Sequence, residues 1–224
     1  GEAVLFPALA IEAVPLAQLN TALAWLRNAD AVIFISPNAA SFGMAAIGSL
    51  PGHARIFALG PGTARALAQA GFHASVVPDG QDSEALLALP ELARVDGQRI
   101  AIVRGVGGRP LLAQSLKARG ADVRYLECYR RVRPQADVAP LLARWQAGGV
   151  DAVTVASAET LVNLMDMLGA PGTPLLAATP LFTPHEKIAT SARALGLTHA
   201  LAAPGGDAAL VESMIRWFNA HTHR

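Results

Sequence analysis

Cysteine is nearly absent from this sequence. Cys128 is the only one, so no intramolecular disulfide can form and no thiolate-rich metal site can be assembled. Such usage fits a reducing compartment, and a cytoplasmic location is expected. Aromatic residues make up 5% of a chain that is 52% apolar, so its cores must be aliphatic. An excess of charge of one sign is missing too: 18 basic and 17 acidic side chains leave a net charge of +1. A chain so balanced has no global field for nucleic acid or an anionic membrane. Any anionic ligand must be held by local Arg or Lys. Apolar runs stop well short of the roughly 18 residues that span a bilayer, and Gly1-Glu2-Ala3 is not the basic start of a signal peptide. The six histidines show no ligand spacing on one helix face, with His221 and His223 at the very end, and no metal is expected. No Gly-x-Ser-x-Gly elbow, phosphate-binding Gly-Lys-Ser/Thr loop or dinucleotide fingerprint occurs.

What the chain does have is a repeat. Ile35-Ser36-Pro37-Asn38-Ala39 closes an apolar run, and Ala156-Ser157-Ala158-Glu159-Thr160 closes another, an offset of 121 (157 minus 36). Thr63 to Gly71 is echoed by Ala189 to Gly196, and Asp82-Ser83-Glu84-Ala85-Leu86 by Asp207-Ala208-Ala209-Leu210-Val211. Blocks in one order at nearly one offset imply two similar units, with a cleft between them as the natural place for a small ligand.

Short apolar strands alternate with helical spacing throughout, which predicts an α/β fold with parallel sheets. Strands are expected at 4–12, 31–35, 55–59, 73–77, 99–103, 123–132, 151–155, 174–181 and 199–202. The two longest, near 4–12 and 123–133, form the natural link. The expected organisation is two similar parallel-sheet α/β domains joined by a two-stranded β ladder. Residues 13–122 make the middle domain, 1–12 and 123–136 the ladder, and 137–224 the second domain.

Ligands on open α/β sheets gather at the carboxyl ends of strands. Four such ends carry polar or glycine-rich turns at helix starts, where backbone N–H groups suit carboxylate or phosphate. They are Ser36-Pro37-Asn38, Gly60-Pro61-Gly62-Thr63, Arg104-Gly105-Val106-Gly107-Gly108-Arg109 and Ser157-Ala158-Glu159-Thr160. Every α/β protein also needs caps and tight turns at such places. Arg104 and Arg109 flank one of them and suit bidentate capture of an anion. Cys128 reads as a small core residue. Tyr129 is one of two tyrosines; on its long strand it is either a packed edge residue or a phenol facing a cleft, able to donate a proton.

The segment Ile100 to Leu112, running on through Leu116 to Val123 and Glu127-Cys128-Tyr129-Arg130-Arg131, resembles the central signature of uroporphyrinogen-III synthases. Phe34-Ile35-Ser36-Pro37-Asn38-Ala39, Ala58-Leu59-Gly60-Pro61-Gly62-Thr63-Ala64 and Asp82-Ser83-Glu84-Ala85-Leu86-Leu87 resemble the same family. Ser157-Ala158-Glu159 and Thr183-Pro184-His185 match more loosely. The resemblance implies two α/β domains, a β ladder, an open cleft and no cofactor. It implies a substrate, hydroxymethylbilane, that is a linear tetrapyrrole with eight carboxylates, cyclised to uroporphyrinogen III with inversion of ring D. It makes Tyr129 the expected catalytic acid. Ser36, Pro37, Asn38, Gly60, Thr63, Arg104, Gly105, Arg109, Ser157, Ala158 and His185 become the expected substrate contacts. The enzyme is expected to be a monomer, with at most transient contact with the preceding pathway enzyme. Family members usually begin with a further strand and helix belonging to the domain of the C-terminal half. Here the chain opens at the ladder strand, which is expected to leave that domain with an uncovered edge. Two competing readings are a two-lobed small-ligand binding protein without catalysis and a nucleotide-dependent α/β enzyme. The scarcity of aromatics counts against the first and the missing fingerprints against the second.

Overall fold

The computed structural model describes residues 1–78, 80 and 82–221; His223, weighed above for metal spacing, lies outside them. The chain divides into two compact units, 11–132 and 1–10 with 133–224.

The middle unit runs β1 (Ala10–Ala13), α1 (Leu16–Leu26), β2 (Ala31–Phe34), α2 (Pro37–Ile47), β3 (Arg55–Ala58), α3 (Gly60–Gln69), α4 (Ser83–Leu87), α5 (Pro90–Ala93), β4 (Arg99–Gly105), α6 (Leu111–Ala118) and β5 (Asp122–Val132). Its sheet has the order β1-β5-β4-β2-β3, and β3, β2, β4 and β5 are parallel. A continuous apolar run suits a strand covered on both faces. All of β2 is buried. Its side chains alternate between two cores, as the two-residue pleat requires. Val32 and Phe34 pack with Ala58, Ala101, Val103 and Leu126. Ala31 and Ile33 pack with Phe57, Ile100, Ile102 and Val123.

One strand breaks that alternation. Arg104 of β4 is level with Glu127 of β5, but Gly105 is level with Tyr129. Cys128 is therefore an extra residue, a β-bulge. Its effect is that Cys128 and Tyr129, though adjacent, both bury in the core of Phe34 and Val103.

The second unit follows with α7 (Ala139–Gln146), β6 (Val153–Thr154), α8 (Ala158–Ala178), β7 (Leu181–Thr183), α9 (Glu186–Ala194), β8 (Ala200–Ala202) and α10 (Gly206–His221). Its strands form a parallel sheet in the order β6-β7-β8. Residues 1–10 belong to this unit: Phe6 and Ala8 pack into its core, and Asn163 Nδ2 donates to the Ala8 carbonyl at 2.9 Å. Buried Trp145 donates from Nε1 to Thr179 Oγ1 at 3.0 Å.

Three expected strands differ. Residues 4–12 yield only Ala10–Ala13 as strand; Pro7 lacks the N–H a ladder needs. Residues 73–77 give a single bridge, Phe57 to Val76, because the N–H groups of Ser75 and Val76 both turn to the Ile56 carbonyl. Residues 174–181 are helix up to Ala178. Gly169 interrupts α8 at φ 58, and helix resumes with Pro171 and Pro174 inside it. Pro171 stands in the first turn of the resumed helix, where its missing N–H has no partner to lose. Among the described residues no helix is long and apolar enough to cross a membrane.

Candidate functional site

In the middle unit Phe34 is in register with Ala58 and Val103, and Gly105 with Tyr129. The turns after β2, β3 and β4 thus lie at the same end of the sheet as Tyr129, and those after β2 and β4 touch it. Ser36 begins α2. Its backbone is extended, and its Oγ accepts the Ala39 N–H at 3.0 Å, satisfying one of the donors that a helix start leaves unpaired. The same Oγ lies 3.2 Å from the Tyr129 hydroxyl. Either hydroxyl can donate across this contact, since Ser36 Oγ keeps a second lone pair after accepting from Ala39; when Ser36 donates, the phenol hydrogen is left for a ligand. Pro37 and Asn38 are exposed at the first turn of α2.

Tyr129 is held from several sides. Its residue is only 5% exposed. The Phe42 ring of α2 lies against it, with centroids 5.8 Å apart. Val106 N–H donates to its carbonyl at 2.8 Å. Gly105 packs against the ring: a Cβ there would come within 2.6 Å of Tyr129 Cε2, so glycine is the residue that fits without a shift. Gly60 opens α3 at φ 79, a backbone shape that favours glycine. Thr63, fully buried, donates from Oγ1 to the Leu59 carbonyl at 2.7 Å, which spends its hydroxyl hydrogen on the turn.

The two flanking arginines differ. Arg104 is buried and turned back onto its own loop, with Nε on the Gly105 carbonyl and Nη1 on that of Arg109. Arg109 is exposed and pairs with Glu84 at 2.7 Å. Cys128 is buried beside the site, its thiol 3.5 Å from the Arg104 carbonyl, and burial pushes its pKa up to about 11. That is the inert core residue expected from the sequence.

Ser157, Ala158 and His185 belong to the second unit. Ser157 repeats Ser36 in detail: an extended backbone, and an Oγ that accepts the N–H of Thr160 at 3.0 Å. Ala158 is exposed at the first position of α8, and exposed His185 stands just before α9. A hollow of about 570 Å³ opens beside these turns, lined by Phe6, Ala8, Thr160 and Pro184 among others.

Sequence reasoning missed three participants. Phe42 is one, an α2 ring packed against Tyr129. Glu127 is another, a strand carboxylate whose role depends on the bulge. Arg65 is the third, an exposed cation on α3 near the Gly62 turn that makes no ion pair among the described residues; its position four residues after Pro61 was a usable signal. Among the described residues no group of three His, Cys, Asp or Glu side chains is placed to hold a metal ion. The arrangement offers hydrogen-bond donation from a phenol, anion binding at helix starts and little else.

Comparison with known proteins agrees on one family. A family model described as Uroporphyrinogen-III synthase HemD matches residues 1–212. The uroporphyrinogen-III synthase of Salmonella typhimurium is 41% identical over 150 residues, covering 65% of this chain and 61% of the relative. That of Escherichia coli is 38% identical over 161 residues, covering 68% and 64%. The chain thus spans less than two thirds of the length of these relatives. Among solved structures, the uroporphyrinogen-III synthetase of Helicobacter pylori matches with a TM-score of 0.61 at 13% identity, covering 94% of this chain and 91% of that one. A mutant uroporphyrinogen III synthase of Thermus thermophilus matches with 0.59 at 22%, covering 97% and 90%. At such identities these two speak for the fold.

Proposed function

The chain belongs to the uroporphyrinogen-III synthase family, and we propose that it cyclises hydroxymethylbilane to uroporphyrinogen III, releasing water and inverting ring D. The observation that carries the reading is the Tyr129 hydroxyl held 3.2 Å from Ser36 Oγ at the cap of α2. In this reading Tyr129 protonates the terminal hydroxyl of the bilane, which leaves as water to give an azafulvene. The substituted carbon of ring D attacks it, and a spiro intermediate reopens and recloses the other way round. Free in water the bilane closes to the uninverted isomer I, so the protein's task is geometric.

The partial positive charge at the start of α2 favours negative charge next to it, which suits a carboxylate of the substrate. Backbone N–H groups at Ser36-Pro37-Asn38 and Gly60–Thr63 suit carboxylates of the substrate, as do exposed Arg109 and Arg65. Ser157, Ala158 and His185 are the proposed contacts of the second unit. The proposed enzyme is monomeric and cytoplasmic, and uses no cofactor. Its test is the rate of hydroxymethylbilane loss in the presence of this chain. A catalyst accelerates the loss far above the spontaneous rate in proportion to enzyme concentration, and a binding protein does not. An unchanged or slowed loss refutes the proposal.

A further inference from the structure

We propose that Arg104 and Glu127 are positioning residues that latch the glycine turn after β4 against Tyr129; the inference rests on the role given to Tyr129 above. A buried guanidinium must spend its donors inside the protein. Arg104, 5% exposed, donates from Nε to the Gly105 carbonyl at 3.1 Å and from Nη1 to the Arg109 carbonyl at 3.3 Å. It therefore ties together the two ends of the turn. Its guanidinium carbon sits 4.7 Å from the centre of the Tyr125 ring, and Glu127 lies 3.9 Å from its Nε. Glu127 also accepts the N–H of Gly107, in the middle of the turn, at 3.2 Å.

The turn is moulded around this pair. Gly107 and Gly108 stand at φ 80 and 93, a backbone region that L side chains avoid. A Cβ on Gly108 would fall on the Arg104 guanidinium, so the arginine occupies the space that a side chain there would need. The first residue of the same turn, Gly105, leaves no room for a Cβ against the Tyr129 ring, and the next, Val106, donates its N–H to the Tyr129 carbonyl. The bulge at Cys128 is what puts Gly105 level with Tyr129. The place of the phenol is thereby fixed by the place of Gly105, and Gly105 is fixed by Arg104. This role replaces the carboxylate anchor that the sequence suggested for Arg104, because its fork is directed at its own turn.

The test compares the parent with Arg104→Lys and Glu127→Ala. Lysine keeps the charge but has no planar fork to hold two carbonyls. Glu127 has a side chain 39% exposed, so Glu127→Ala carries the test if Arg104→Lys fails to fold. All are made in a Tyr125→Phe background, which leaves Tyr129 the only tyrosine of the two, and its ring is followed by NMR with ¹³C-labelled tyrosine. The latch predicts that both variants shift or broaden the Tyr129 ring signals without ligand. It also predicts that kcat falls about tenfold with KM within about twofold, and that the share of isomer III drops. Unchanged ring signals in both variants overturn it, as does a KM raised about tenfold at unchanged kcat, the mark of a carboxylate anchor. The ring signals read the latch even in a chain that makes no isomer III, so failure of the functional reading and failure of the latch are separable.

Discussion

Tyr129 reaches its place because Cys128 occupies no ladder position. Strict alternation along β5 would have sent the two to opposite faces, and the bulge puts both against Phe34 and Val103. Bulges that re-aim a side chain recur beside active sites. Nothing in the residues Glu127-Cys128-Tyr129 announces the shift, and for that reason spacing alone left Tyr129 undecided between packing and chemistry. At this scale Tyr129→Phe is expected to lower kcat about 10²-fold or more, the usual worth of a positioned acid. KM and melting temperature should change little, since the ring and its contact with Phe42 are kept; steady-state kinetics and a thermal melt check this. Ser36→Ala loses both the cap of α2, about 1 kcal/mol of stability, and the hydrogen bond to the phenol. Cys128 gives a pH prediction. Folding raises its thiol from the ordinary 9.0 to about 11. The folded state therefore holds a proton that the unfolded chain releases above pH 9. The stability this contributes is full below pH 9 and is lost as pH rises to about 11, amounting to about 3 kcal/mol over two pH units. Denaturant melts across pH 8–11 should fall less steeply for Cys128→Ala than for the parent.

Between residue and whole lie the paired elements. The echo of Ser36 in Ser157 was legible because a capping serine, an apolar strand before it and a helix after it leave a local signature. In the structure both are caps with the same backbone shape and the same bond to the third residue on. Gly71 and Gly196, the ends of the second echo, both stand at positive φ, 83 and 92, the usual close of a helix. The strand expected at 174–181 is helix as far as Ala178, because the helix restarts after Gly169 with Pro171 and Pro174 inside it. Helix α2 makes a further demand that sequence does not advertise. A Cβ on Gly43 would lie 2.5 Å from Val103 Cγ1 and 3.2 Å from Phe34 Cε1. Glycine in a helix costs about 1 kcal/mol relative to alanine; here it permits close approach to the sheet. Gly43→Ala is expected to destabilise by about 1–3 kcal/mol, the overpacking cost outweighing the gain in helix propensity. Denaturant unfolding tests this, and a stabilised variant would contradict the packing.

For the molecule as a whole, charge is the relevant quantity. With 18 cations against 17 anions, there is no long-range field to draw in a polyanion, and under the proposed function carboxylates are recognised by exposed side chains such as Arg109 and Arg65 and by helix starts. Salt weakens such exposed contacts within a Debye length of about 8 Å at physiological ionic strength. KM for the bilane should therefore rise several-fold between low and high salt while kcat stays level, as measured by initial rates in a series of sodium chloride concentrations. The central claim is that this chain directs ring closure, and the nature of its product tests that most directly. Hydroxymethylbilane is generated in the presence of the chain, and the products are oxidised and separated into isomers I and III. The account predicts mainly isomer III, with its share falling toward the spontaneous mixture in Tyr129→Phe. Isomer I alone from the parent chain, at the spontaneous rate, would contradict it.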